Sequence, residues 1–262
     1  MNREVAGVPP RLWVYTNFDC NLRCSYCLSS SYPGAPRREL SLLTYKRLVD
    51  EAAAEGIREV YLTGGEPFLL PDIFARIGHA AARMPVTVLT NGSLLRGTRL
   101  RRLAALKALP LTLQVSLDGP SPDFHDPYRG RGSWHLAVTA IRTLVDEGFQ
   151  VSVGATETPL NTAHLGELER FVSRLGVPQD CFLVRPLTKR GLSDQGLELT
   201  AADMVPELTV TREGVYWHPQ TAGEALLLAR DPFPLRAVID LLLATYRAIR
   251  DGGSSPQHYR CA

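Results

Sequence analysis

The sequence predicts an α/β protein built on a parallel sheet, and three observations carry that expectation. Short β-rich runs alternate with helical stretches six times in succession through the first two thirds of the chain. The strand runs are mostly continuous and apolar, five to seven residues long, as in parallel strands covered on both faces. Several helical stretches stop at a glycine, the usual residue beyond a helix end. A curved barrel and an open doubly wound sheet both satisfy this pattern.

The first strand is expected over 12–16, where Leu12, Trp13, Val14, Tyr15 and Thr16 are β-formers. Residues 42–55 have helical spacing and stop at Gly56. A second strand follows at 59–63, then a helix over 72–83 with Asp72 near its start. The third strand, 86–90, lies between Pro85 and an Asn91-Gly92 turn, and a helix is expected over 98–106. The fourth strand is 111–117. A helix over 133–147 has Ser133 at the capping position and stops at Gly148. The fifth strand is 151–155, followed by a helix over 163–175 and a sixth strand over 181–185. Past Arg185 the rhythm breaks: 189–200 is polar, 208–210 and 215–217 flank a hairpin turn, and 235–249 is amphipathic. The expected organisation is therefore a main unit over 1–190 and a small appendage, hairpin plus helix, over 191–262.

Composition narrows the function. The chain has 262 residues, 45% hydrophobic and 21% charged, with a net charge of +2. That is enough chain to bury a core without disulfides, and the balanced charge does not suggest a nucleic-acid partner. The basic run 96–102 reads as a solvated helix face. No apolar run approaches the ~18 residues of a membrane span, and the first residues lack the apolar stretch of a secretory signal, so the expected location is the cytoplasm. Three of the five cysteines fall within eight residues, which reads as metal ligation or redox chemistry and not as a disulfide framework.

Cys20, Cys24 and Cys27 have the spacing C-x3-C-x2-C on a loop after the first strand. Three thiolates on one tight loop can each bind an iron of a cubane cluster. Without a fourth cysteine nearby, one iron stays open to a small molecule. A structural zinc site needs four ligands, usually as two C-x2-C pairs. Here there is one triplet, and the six histidines show no H-x3-H pair.

Three further segments follow successive strands. Thr63-Gly64-Gly65-Glu66-Pro67 combines two permissive glycines with a carboxylate that can accept from an ammonium group; a plain βα turn would read the same way. Thr90-Asn91-Gly92 is ordinary turn chemistry at a strand end. Ser116-Leu117-Asp118-Gly119 is followed by His125-Asp126-Pro127-Tyr128-Arg129-Gly130. A serine and an aspartate there can bond ribose hydroxyls, and an arginine on the following loop can grip a carboxylate with its fork. Asp118 reads equally well as a turn or capping residue.

The cysteine triplet together with these segments resembles the radical S-adenosylmethionine superfamily, over about 12–185. The Ser-x-Asp-Gly and His-Asp-x-x-Arg-Gly segments are similar to its branch of sulfatase-maturing and peptide-modifying enzymes. The resemblance implies a partial (β/α)6 TIM-like barrel and one 4Fe–4S cluster on Cys20, Cys24 and Cys27. It implies S-adenosylmethionine binding by Tyr26, Gly64, Gly65, Glu66, Asn91, Ser116, Asp118 and Arg129. Glu66 would meet the methionine ammonium, Ser116 the ribose, Arg129 the methionine carboxylate, and the Tyr26 backbone the adenine. Hydrophobic residues of the fifth and sixth strands (Val153, Ala155, Leu183, Val184) could flank the adenine or lie in the core. The implied chemistry is reductive cleavage of the cofactor to a 5′-deoxyadenosyl radical, fed by an external one-electron donor, flavodoxin or ferredoxin. Hydrogen abstraction would then fall on a peptide or protein side chain, or on a small-molecule cofactor or natural-product precursor.

The chain departs from the branch in one respect. That branch usually carries a cysteine-rich extension for auxiliary clusters, and beyond Cys27 only Cys181 and Cys261 remain. One cluster is therefore expected. Cys181 reads as a core residue at a strand start, and Cys261 as a tail thiol or remnant in preference to a catalytic hydrogen donor. Tyr216-Trp217-His218-Pro219 could line or cap a substrate site or pack on the barrel's edge. A different class, an iron–sulfur redox or sensor protein that does not cleave the cofactor, has no need of Glu66, Ser116 and Arg129. A degenerate partner subunit is disfavoured by the intact triplet.

Overall fold

The structure is a computed structural model and describes residues 8, 10–221 and 226–251. Its centre is one nine-stranded sheet. In chain order the elements are β1 (Arg11–Asn17), α1 (Leu42–Ala54), β2 (Glu59–Gly64), α2 (Ile73–Ala81), β3 (Val86–Thr90), α3 (Gly97–Ala104), β4 (Leu111–Ser116), α4 (Pro122–Arg129), α5 (Ser133–Asp146), β5 (Gln150–Glu157), α6 (Leu165–Arg174), β6 (Phe182–Pro186), β7 (Leu208–Thr211), β8 (Gly214–Tyr216), β9 (Leu227–Ala229) and α7 (Leu235–Asp251). The spatial order is β6-β5-β4-β3-β2-β1-β7-β8-β9. The first six strands lie side by side in chain order and are all parallel. The sheet does not close, since β6 and β9 are its two edges. This is the partial barrel that the resemblance implies.

The strands carry a division that continuous apolar runs do not suggest. Successive side chains point to opposite faces. Leu12, Val14, Val60, Leu62, Val86, Val88, Leu111, Leu113, Val115, Val151 and Val153 join one large core with the helices. The alternate residues face inward and are mostly aromatic or polar, with Leu89 among them. Trp13 and Tyr61 stack there with centroids 4.3 Å apart, and Gln114 accepts from Arg185 at 2.8 Å. Val153, Ala155 and Val184 belong with the helix-facing core, which settles their alternative as packing.

Several boundaries differ from expectation for local reasons. Ser133 is the first helical residue of α5, and Gly132 (φ +82°) takes the capping position. The Ser133 hydroxyl instead donates to the Gly130 carbonyl at 2.6 Å. Asp72 precedes α2 without capping it, because its carboxylate is taken by Arg76 one turn on. The segment carrying Arg129, expected as a loop, is α4, with proline in its first turn and Gly130 after its end. Cys181 closes a single 3-10 turn, Gln179–Cys181, before the edge strand β6, and packs half-buried against the rim of the core.

The hairpin expected as an appendage continues the sheet: β7 pairs parallel with β1, and β8 turns back antiparallel. Tyr216, Trp217 and His218 are buried there, and Trp217 packs on Tyr246 of α7. Trp217 and His218 pack within the fold, whereas Tyr216 also lines a cavity beside Tyr15 and Ser29. Cys261 lies outside the described residues. No helix among the described residues is long and apolar enough to cross a membrane.

Candidate functional site

The C-terminal ends of β1 to β6 converge on one cavity, where parallel α/β sheets place their ligands. The loop after β1 forms one wall. Cys20, Cys24 and Cys27 all line the cavity, with Tyr26 between them. The loop is pinned from several sides. Ser25 N donates to Tyr128 O at 2.9 Å, Ser29 Oγ to Gly64 O at 3.0 Å, and Leu192 N to Cys27 O at 3.0 Å.

The two glycines after β2 serve this loop directly. A Cβ on Gly64 would lie 2.1 Å from Asn17 O, and one on Gly65 2.0 Å from Asp19 O. Gly64 also has φ +120°. Only bare backbone lets Gly65 N donate to Asn17 O and Glu66 N to Asp19 O. The sequence suggested that these glycines clear space for a ligand; here they also clear space for the cysteine loop.

Glu66 departs from its expected place. It is fully buried and is not among the residues lining the cavity. Its carboxylate accepts from Phe68 N at 3.1 Å, Thr90 Oγ1 at 2.9 Å and Asn91 N at 2.9 Å. In this arrangement it ties the end of β2 to the end of β3, and its oxygens do not present themselves to an ammonium group. Burial pushes the carboxyl up to about 7 against the pull of these donors.

Asn91 lines the cavity beside Cys20, its amide 3.9 Å from the Cys20 sulfur and 3.1 Å from Asn21 Oδ1. Leu22 N and Ser31 N also point at thiol sulfurs, on Cys20 at 3.4 Å and Cys27 at 3.3 Å. Ser116 and Arg129 also line the cavity, Arg129 beside the ring of Tyr26.

Asp118 does not reach the cavity. It is fully buried and accepts from Arg129 Nε at 2.6 Å, Arg129 Nη2 at 3.2 Å, Thr156 N at 2.9 Å and the Tyr26 hydroxyl. Burial alone would raise its carboxyl, but the charge and hydrogen bonds of Arg129, with His125 and Thr156 N, hold it below the usual range. The aspartate expected at a ribose therefore sits behind the arginine and sets its orientation.

Two residues that the sequence reading left unassigned complete this support. His125 Nδ1 accepts from Asp118 N at 3.1 Å, and burial brings the imidazole down to about 4, so it stays neutral. Asn161 Nδ2 donates to Asp118 O at 2.6 Å. The inward positions Tyr15, Thr156 and Arg185 also line the cavity. Their signal was the period-two polarity of the strands, as in Thr112-Leu113-Gln114-Val115-Ser116.

The donor set suits a cluster: the three thiols line one cavity, and in a cubane each cysteine takes its own iron. Burial pushes Cys20 up to about 12 and Cys24 up to about 11. Iron must therefore displace protons to bind.

Comparison with known proteins agrees with this geometry. The family model "Radical SAM superfamily" matches residues 14–172. Mycofactocin maturase MftC of Mycobacterium tuberculosis is 35% identical over 176 residues, 66% of this chain and 44% of that protein. The AdoMet-dependent heme synthase of Methanosarcina barkeri is 34% identical over 200 residues, 74% of this chain and 55% of that protein. The chain thus spans about half the length of the curated relatives it matches. Streptococcus suis SuiB bound to S-adenosylmethionine superposes with TM-score 0.63 at 17% identity, covering 97% of this chain and 50% of SuiB. SuiB has also been solved bound to its precursor peptide SuiA. At 17% identity, SuiB shares the fold with this chain. With an iron–sulfur cluster and S-adenosylmethionine as its implied cofactors, the chain belongs to the radical S-adenosylmethionine superfamily.

Proposed function

We propose that Cys20, Cys24 and Cys27 hold a single 4Fe–4S cluster, and that the enzyme uses S-adenosylmethionine to abstract hydrogen from a peptide or protein side chain. The observation that carries this is the meeting, around one cavity, of the three thiols with Gly64, Gly65, Asn91, Ser116 and Arg129. When bound, the cluster and S-adenosylmethionine supply one-electron cleavage of the sulfonium to a 5′-deoxyadenosyl radical.

The protein's part is to bind, orient and exclude water. Arg129 lines the cavity while Asp118 takes its Nε and one Nη2 proton, and in this reading its remaining N–H donors take the methionine carboxylate. The backbone at Gly64 and Gly65 is open to the methionine ammonium, with Glu66 acting behind it as a brace. Ser116 and Asn91 offer hydrogen bonds to the ribose and the cofactor's edge, and the Tyr26 backbone meets the adenine. Hydrogen bonds from Leu22 N, Ser31 N and Asn91 to the sulfurs favour the reduced, more negative cluster. The electron comes from an external donor of the flavodoxin or ferredoxin type, and the protein works in the cytoplasm. A small-molecule substrate is the second reading, supported by the similarity to a heme synthase.

The test is anaerobic reconstitution followed by dithionite and S-adenosylmethionine, with chromatography for 5′-deoxyadenosine. Wild type is expected to form it and Cys24→Ala is not. A chain that binds about four irons, as a cubane requires, yet forms none with peptides or metabolites present would overturn the proposal in favour of a redox or sensor role.

A further inference from the structure

A second cavity of about 450 Å³ adjoins the first and shares Tyr15, Leu28 and Ser29 with it. Its walls carry Arg38 and Arg190 beside the carboxylate of Glu213. None of these belongs to the segments assigned to the cluster or to S-adenosylmethionine.

The Arg38 guanidinium carbon lies over the Phe18 ring, 3.7 Å from its centroid, a contact that helps hold the group in place. Its nearest approach to Glu213 is 3.7 Å, beyond hydrogen-bond length. The Glu213 carboxylate is bonded instead by Thr211 Oγ1 at 2.8 Å.

Arg190 is half-buried. Among the described residues its backbone N–H donates to Thr188 O, while its guanidinium has no hydrogen-bonded or ion-paired side chain. Burial pulls that guanidinium down. A half-desolvated cation without a counter-charge is costly unless a ligand supplies one.

Its position is fixed as well. The next residue, Gly191 (φ +65°), lies so close to the cysteine loop that a Cβ there would sit 2.1 Å from Cys27 O. Leu192 N then bonds that same carbonyl. Arg190 therefore stands on a loop anchored to the cysteine loop, beside the reacting centre.

We propose that this second cavity receives a carboxylate of the substrate peptide, gripped by Arg190 and Arg38, while a neighbouring residue of that peptide reaches over Tyr15 and Ser29 into the first cavity. The inference rests on the peptide reading above and narrows it to peptides with an acidic side chain or a free C-terminus at this place. Guanidinium groups suit a carboxylate because their paired N–H donors match its two oxygens.

Two randomised decapeptide libraries test it on the reconstituted protein, with retained peptides sequenced. One library is C-terminally amidated and includes Asp and Glu; the other has a free C-terminus and no acidic side chain. Retention of acidic peptides from the first assigns the carboxylate to a side chain, and retention from the second assigns it to the C-terminus. Either supports the proposal if Arg190→Gln and Arg38→Gln each lower retention about tenfold, the worth of one charge-assisted bond. Arg190→Lys should recover part of it, and circular dichroism of each variant establishes that it is folded.

The proposal falls if wild type favours neither library, or if the glutamine variants retain the same peptides as wild type. Retention needs no cofactor cleavage. Wild type that retains acidic peptides but forms no 5′-deoxyadenosine overturns the radical function and leaves the carboxylate site standing; the reverse result overturns the site alone.

Discussion

Replacing Asp118 by asparagine keeps the side chain's shape and removes its charge. In the native protein this carboxylate is fully buried and accepts four donors, two of them from Arg129, whose side chain is 10% exposed. The variant leaves Arg129 as a buried cation without a counter-ion, and turns an amide N–H₂ toward its N–H donors. Breaking a buried pair from one side costs ~3–5 kcal/mol, a large share of a total stability of roughly 5–15 kcal/mol. The assay is equilibrium urea unfolding followed by circular dichroism at neutral pH, for Asp118→Asn, Arg129→Met and the double variant. The two substitutions should couple by ~2–3 kcal/mol, the double variant losing much less than the sum. The carboxyl is depressed in the folded state, so its stabilisation is present above the unfolded value near 3.8 and lost as pH falls through the folded value. Wild type should therefore approach Asp118→Asn in stability in strong acid. A loss below about 1 kcal/mol, or an equal loss with and without Arg129, would refute the positioning role. Weakened S-adenosylmethionine binding with unchanged stability would return Asp118 to the ribose.

Glu66 carries the opposite sign: its carboxyl is raised from 4.5 to about 7 in the folded chain. Its contribution is fully present below 4.5 and lost as pH rises to about 7, some ~3 kcal/mol at 1.36 kcal/mol per pH unit. Glu66→Gln should flatten urea stability across that window; an unchanged profile would show that the brace is ionised throughout. Gly191→Ala should push the 187–200 segment off the cysteine loop, because its Cβ would meet Cys27 O and its φ is +65°. Iron retained per chain after reconstitution and brief air exposure should drop at least twofold, an effect of under 1 kcal/mol in relative terms, and full retention would count against the strap.

The site's chemistry was legible in residue type and spacing. Three cysteines in eight positions, a Gly-Gly pair after the second strand and Asn91 at the end of the third are local facts, set by chain order. The parallel sheet was legible too, since hydrophobic runs alternating with helical periods leave few ways to fold. The inward face was partly hidden. Gln114, Thr156 and Arg185 each follow an apolar neighbour, and only the pleat separates them into a second surface.

Burial and long-range partnership required the tertiary structure. Glu66 and Asp118 look like ligand contacts in sequence, yet the structure closes them behind Thr90 and Arg129, 24 and 11 residues away. Whether a carboxylate faces a ligand or braces its neighbour depends on what packs over it, and spacing along the chain does not encode that. The hairpin after residue 207 shows the same limit: its strands and turn were visible, but its pairing with β1 across nearly two hundred residues was not. Arg190 belongs to this class as well. Within a polar stretch it is an unremarkable cation, and only the contact of Gly191 and Leu192 with Cys27 sets it beside the site. Residue identity determined which chemistry is available; close packing of distant segments decided which side chains are free to perform it.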